Sequence, residues 1–167
     1  MNTLILYYSN GGTTHIVAKT LSIHLDADLL RIKDLKNRKG FGNRFLSSID
    51  AFRETKTKIS PAKVDLSEYN TIYIGTPTWA GNPTPAILTI IDRCDWKGKD
   101  VVLFATMSNN RGETNIDRLK EKVRIRGARV IETFTIKTKD KSQQQLINDT
   151  EAAIEMLDLK MFKGGIQ

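Results

Sequence analysis

LYYSNGGTTHIVAK, residues 6–19, passes from an apolar segment into six residues without charge, Ser9-Asn10-Gly11-Gly12-Thr13-Thr14, and then into apolar positions at helical spacing. Those six residues carry three hydroxyls, one amide and two glycines, a composition unlike that of an ordinary surface turn. A buried strand that delivers such a loop onto a helix N-terminus makes a phosphate cradle: the glycines leave backbone N–H groups accessible, and the helix dipole favours negative charge there. Because the loop holds no Lys or Arg, it binds phosphate through neutral hydrogen bonds, which suits a retained cofactor better than a phosphate in transfer. The Walker pattern and Gly-x-Gly-x-x-Gly are both absent. A glycine turn with Thr13 or Thr14 helping to cap a helix is the alternative that this loop alone leaves open.

Outward from this stretch, strand-like and helix-like segments alternate about five times. Residues 3–8, 71–75 and 101–106 are short, nearly continuous apolar runs, as expected of parallel strands covered on both faces, and 27–32 and 128–136 are weaker strand candidates. Between them, Ile16, Val17, Leu21 and Leu25, then Ile87, Leu88 and Ile91, then Ile116, Leu119 and Val123, and last Leu146, Ile147, Ala153, Ile154 and Leu157 recur with a period near that of a helix. The pattern predicts an α/β fold with three layers, an open sheet of five parallel strands with helices on both faces. Ligands of such sheets sit outside the carboxyl ends of the strands, near the switch in strand order. One segment breaks the rhythm: residues 37–61 carry Phe41, Phe45, Leu46, Ile49 and Phe52 in a basic surround, read as a crossover with a helix at about residues 43–54. A single domain is expected over residues 1–160, with a tail at 161–167.

Composition narrows the class. Of 167 residues, 40% are hydrophobic and 27% charged, and no apolar run approaches the ~20 residues of a membrane-spanning helix. Neither a basic leader nor a small-residue cleavage site precedes Leu4, so a cytoplasmic protein is expected. Cys94 is the sole cysteine, and with only His15 and His24 to assist it, no bound metal is expected. The net charge is +7, and residues 31–58 hold nine basic side chains against three acidic ones. Such a segment is either a solvated face or a docking surface for an acidic partner; nucleic acid is disfavoured because no aromatic platform or binding module accompanies the charge.

Two further loops follow strong strands. GTPTWAGNPTPA, residues 75–86, sets Trp79 next to Gly81 between Pro77 and Pro83, stiff at its ends and able to reorient at its centre. TMSNNRGET, residues 106–114, offers Ser108, Asn109 and Asn110 to a heteroaromatic edge, while Arg111 is open to several roles. A phospho-acceptor domain needs carboxylates after the first strand, yet the first acidic residue is Asp26; a Cys-x5-Arg phosphatase needs Arg where Asp100 stands.

With these loops in view, the sequence resembles the flavodoxins and flavodoxin-like FMN proteins. Ser9-x-x-Gly12-x-Thr14-x-x-x-Ala18 follows the family's phosphate-loop spacing, Gly75 to Gly81 resembles its first flavin loop, and Thr106 to Gly112 occupies the place of its second. The resemblance implies FMN as cofactor, held by Ser9, Asn10, Gly11, Gly12, Thr13 and Thr14 at the phosphate. It also implies Pro77, Thr78, Trp79, Ala80 and Gly81, and Thr106, Met107, Ser108, Asn109 and Gly112, around the ring. Trp79 would stack on or border the isoalloxazine, and the region of Ala80 and Gly81 would supply a carbonyl to flavin N5. FMN is expected over FAD, since no second phosphate site or adenine pocket is evident. The sequence departs from the family at Gly11, often Ser or Thr; at Asn82 and Pro83, often acidic; and in its basic charge. The last two departures imply a hydroquinone potential less negative than in an acidic flavodoxin.

The implied function is electron transfer, with the flavin cycling between oxidised, semiquinone and hydroquinone states and a redox protein, acidic and docked on residues 31–58, as partner. The alternatives are an NAD(P)H-dependent quinone or small-molecule reductase and an FMN-free interaction module on the same scaffold. No His or Tyr proton donor lies in the second or third loop, which favours the carrier, and no catalytic residue is assigned.

Overall fold

The computed structural model describes residues 2–36, 56–108 and 110–162. The expected helix at 43–54, the residue Asn109 and most of the expected tail lie outside them. Among the described residues six strands, β1 (Asn2–Tyr8), β2 (Asp28–Asp34), β3 (Ile59–Ser60), β4 (Tyr69–Pro77), β5 (Asp100–Met107) and β6 (Arg129–Lys137), form one sheet in the order β3-β2-β1-β4-β5-β6. The helices are α1 (Thr13–Leu25), α2 (Pro85–Arg93), α3 (Gly112–Ile125) and α4 (Gln143–Met156), with a closing 3-10 turn at Leu159–Phe162.

Five strands are parallel, as the apolar runs imply, and the sixth is an addition: β3 is two residues long and antiparallel to β2. It has no pattern to read. Ile59 alone is apolar and buried, and the pairing rests on the register of Lys33 with Ser60 and Asp34 with Ile59.

The apolar runs lack polar alternation because both faces are covered. Even-numbered Leu4, Leu6 and Tyr8 of β1 pack with Ile87 and Ile90 of α2 and Ile116, Leu119 and Val123 of α3. Odd-numbered Ile5 and Tyr7 pack instead with Val17, Leu21 and Leu25 of α1 and Leu146 and Ile154 of α4. Side chains of a strand alternate between faces, so one continuous run feeds two cores. On the second face Phe104 stacks on Phe134 with centroids 5.5 Å apart and covers Gly75 of the neighbouring strand. A Cβ at Gly75 would stand 2.1 Å from Cζ of Phe104, so any side chain there would force the stacked ring to shift.

The chain runs from β1 outward to β2 and β3, then returns to the other side of β1 as β4 and continues to β5 and β6. Direction therefore switches between β1 and β4. The connections leaving the carboxyl ends of β1, β4 and β5 are the three polar loops, and the topology gathers them at one edge.

Candidate functional site

Loop one, residues 9–12, leaves β1 and enters α1 through Gly12, whose φ of 95° is left-handed and favours glycine. Its N–H donates to Ser9 Oγ at 3.1 Å, closing the loop on itself, and no side chain caps the helix. Ser9 and Thr14 are buried, Gly12 and Thr13 half-buried, and Asn10 and Gly11 exposed. A Cβ built on Gly11 or Gly12 would meet nothing within 4 Å, so the space over the two glycines is open and bounded by the first N–H groups of α1. Those residues fit a phosphate: an uncharged cradle, a helix N-terminus and room that any larger side chain would fill.

Thr14 is not presented to that space in the way its spacing suggests. Its hydroxyl shares a hydrogen bond of 2.7 Å with Thr106 on β5, and both residues are buried. The bond fastens loop one to the strand that launches loop three. Thr106 also accepts, through its carbonyl, the N–H of Thr78 at 2.9 Å, which fastens loop two to the same strand.

Loop two, residues 78–84, is a built turn rather than a slack connection. Trp79 and Asn82 exchange backbone hydrogen bonds of 3.0 and 2.9 Å across Ala80 and Gly81, whose φ values of 51° and 78° are both positive. That combination is the type I′ hairpin turn. Alanine in the left-handed region costs about 1 to 2 kcal/mol, and the amide of Asn82 offsets it by donating from Nδ2 to the Ala80 carbonyl at 2.9 Å. Below the turn, the Thr76 hydroxyl meets that of Thr84 at 3.1 Å and accepts the Thr84 N–H at 3.1 Å, joining the two ends of the loop. Asn115 of α3 donates to Thr78 Oγ1 at 2.9 Å and to the Pro77 carbonyl at 3.3 Å. Asn82 and Asn115 are buried, and the Oδ1 of each lacks a protein partner.

Trp79 is half-buried and meets Tyr8, the last residue of β1, edge-on at 5.7 Å. It therefore borders the crevice between loops one and two. Arg111 of loop three lies over Gly81, its Cδ and Cβ 3.5 and 3.6 Å from where a Gly81 Cβ would be. The three loops thus form a closed ring: one to three through Thr14 and Thr106, three to two through Arg111 and Gly81, two to one through Trp79 and Tyr8.

Of the remaining candidates, Pro77 and Thr78 are half-buried at the base of loop two, Ala80 and Ser108 are exposed at the rim, and Gly81 is buried. Met107 and Gly112 turn away from the ring. The Met107 sulfur fills the space a Gly112 Cβ would need, at 2.0 Å, and the Met107 carbonyl accepts the N–H of Thr138 at 2.8 Å. Their side of loop three is committed to packing.

Sequence reasoning missed four scaffold residues. Thr76 and Thr84 bracket a loop but carry no pattern. Asn82 and Asn115 are polar residues inside the fold, and Asn115 alone left a signal: it lies one helical turn before Leu119, on the stripe that continues to Val123. A fifth residue modifies the view of an uncharged cradle. Arg31, on β2 beside Tyr7, donates from Nη2 to the Ser9 carbonyl at 2.6 Å.

Behind loop one, the Tyr7 hydroxyl and His15 Nδ1 lie 2.5 Å apart. Burial pushes the Tyr7 phenol up, outweighing the opposing pull of Arg31. It pushes the imidazole of His15 down, and Arg31 and Lys19 push the same way. Both shifts favour the neutral phenol and the neutral imidazole, which share one hydrogen bond. The Cys94 thiol is buried and pushed up by that burial, which holds it as an unreactive thiol. Among the described residues no cluster of His, Cys, Asp or Glu is placed to hold a metal, and no helix is long and apolar enough to cross a membrane.

A family model described as Flavodoxin matches residues 2–139. The fold is similar to that of a Bacteroides uniformis protein, 24% identical, with a TM-score of 0.76 over 90% of this chain and 97% of the other. It is also similar to a flavoprotein from Lactobacillus acidophilus determined in complex with FMN, 25% identical, with a TM-score of 0.68 over 80% of this chain and 92% of that one. Oxidised flavodoxin 1 from Bacillus cereus, 17% identical, shares the fold with a TM-score of 0.56 over 93% and 98% of the two chains. No curated protein matches the sequence.

Proposed function

Because the chain belongs to the flavodoxin family, we propose that it holds FMN where its three loops meet and serves as an electron-transfer protein. The observation that carries this reading is the open space over Gly11 and Gly12 at the N-terminus of α1, joined by side-chain and backbone bonds to two further loops at the same sheet edge. Bound FMN would supply one- and two-electron redox chemistry.

The chain's part is to bind, orient and shield. Backbone N–H groups of Gly11, Thr13 and Thr14, with the Thr13 hydroxyl, receive the phosphate, while the Gly12 N–H stays on Ser9 Oγ and holds the loop closed. Loop two, stiffened by the I′ turn and the amides of Asn82 and Asn115, presents Thr78, Trp79 and Ala80 to the ring, and loop three presents Ser108. Ser9, Thr14 and Thr106 act through the framework, holding loops one and three at a fixed spacing. The exposed rim of Ala80 and Ser108 suits electron exchange across a surface, and a cytoplasmic setting belongs to the same reading.

The test is a visible absorption spectrum of purified protein after incubation with FMN, followed by reduction with dithionite and then, separately, NADPH. A bound-flavin spectrum reduced by dithionite and slow to respond to NADPH is expected. Rapid bleaching by NADPH alone would assign the reductase instead, and failure to retain FMN would leave an interaction module.

A further inference from the structure

Arg31 lies outside loop one in sequence, 22 positions from Ser9, yet it is bonded to that loop. The parallel register pairs it with Tyr7, and its side chain then runs forward past the end of β1 to the Ser9 carbonyl, 2.6 Å away. Ser9 is buried and its own Oγ accepts the Gly12 N–H, so the guanidinium is bonded to the same residue that closes the glycine cradle. Its field is felt at Tyr7 and at His15 in the first turn of α1. Lys19 is felt at His15 as well, but it is the Arg31 guanidinium that is bonded to loop one. The Ser9 carbonyl takes one of five guanidinium N–H donors, and a planar fork suits phosphate oxygens as an ammonium does not.

We propose that Arg31 supplies the positive charge that loop one lacks in its own sequence, and so makes the site select a phosphorylated, dianionic flavin over the uncharged riboflavin. This rests on the FMN reading above and adds to it a residue and a direction of specificity. A loop built of neutral donors alone treats the phosphate as a set of acceptors; a cation anchored on the loop backbone makes its two charges count as well.

The experiment measures dissociation constants for FMN and for riboflavin, by quenching of flavin fluorescence, in wild type, Arg31→Gln and Arg31→Lys at low and high salt. Loss of the charge is expected to weaken FMN on the order of 10-fold at low ionic strength, less at high salt. Riboflavin affinity should stay within about 2-fold, because no charge on the ligand faces the missing cation. Arg31→Lys should restore most of the salt dependence, which a merely structural contact with Ser9 would not do. Equal losses for FMN and riboflavin, or an Arg31→Gln variant that keeps wild-type FMN affinity and salt dependence, would overturn the inference while leaving FMN binding intact. A wild type that binds riboflavin as tightly as FMN also overturns it, and one that binds neither overturns the FMN reading with it.

Discussion

Single side chains decide how loop two behaves, and Asn82 is the most telling. By its place in the sequence it is a missing negative charge beside the flavin; in the fold it is buried and its amide holds the Ala80 carbonyl. Asn82→Asp therefore does two things at once. It sets a carboxylate against a carbonyl in a buried turn, and it adds the anion that lowers a reduction potential. The variant should lose about 1 to 3 kcal/mol of stability in urea titrations of the FMN-free protein, whereas Arg111→Ala, which removes a charge beside Gly81, should lower the second flavin potential. An Asn82→Asp protein as stable as wild type would show that the amide is no latch. His15 makes a second prediction, in pH. Its folded proton affinity lies below the ordinary value, so between the folded and unfolded values the unfolded chain binds the extra proton, and stability rises with pH. The contribution is complete above about 6.5 and is lost as pH falls toward the folded value. Urea midpoints should decline from pH 7.5 toward 5, and His15→Gln should flatten that decline; parallel profiles for the two proteins would refute it.

Elements were legible where burial is two-sided. The runs at 3–8, 71–75 and 101–106 could be read as strands because both faces of β1, β4 and β5 meet apolar helices, and the structure lengthens β4 to Tyr69–Pro77 by adding Tyr69-Asn70 and Thr76-Pro77, which do not continue the apolar run. β3 was illegible because two residues make no period. The loops were legible as polar, glycine-bearing interruptions, but their ties were not: Thr14 with Thr106, Arg31 with Ser9 and Asn115 with Thr78 are set by strand register and helix placement, which single-chain patterns do not contain. Glycines show the same division. Gly75 and Gly11 look alike in sequence, yet Gly75 lies under Phe104, itself stacked on Phe134, while Gly11 faces open space. Gly75→Ala should cost about 1 to 3 kcal/mol of stability by overpacking. Gly11→Ala should leave the urea midpoint nearly unchanged and instead weaken FMN, because the methyl enters the cradle. If the two variants behaved alike in stability, the close approach of Phe104 would be ruled out as the constraint at Gly75.

For the molecule as a whole, charge and topology set the remaining consequences. Exposed Arg31, Lys33, Lys36, Lys56 and Lys58 border the β2 and β3 edge, at either end of the segment read as a docking surface. We propose an acidic redox partner there. Electron-transfer rates with such a partner should fall as ionic strength rises, and fall at low salt when Lys33, Lys36 and Lys58 are changed together to Glu; rates indifferent to both would remove the proposal. Topology acts earlier in the life of the chain. The hydroxyl bond between Thr14 and Thr106 spans 92 positions, and loop three ends only where α3 begins at Gly112. Thr106 leaves the ribosome 92 positions after Thr14, and only then can the framework that spaces the phosphate loop from loop three close. Synthesis at roughly 5 to 20 residues per second puts several seconds between the two events. During that interval the nascent chain carries a phosphate loop not yet tied to loop three, so a flavin that needs both would meet a complete site only once β5 has been made.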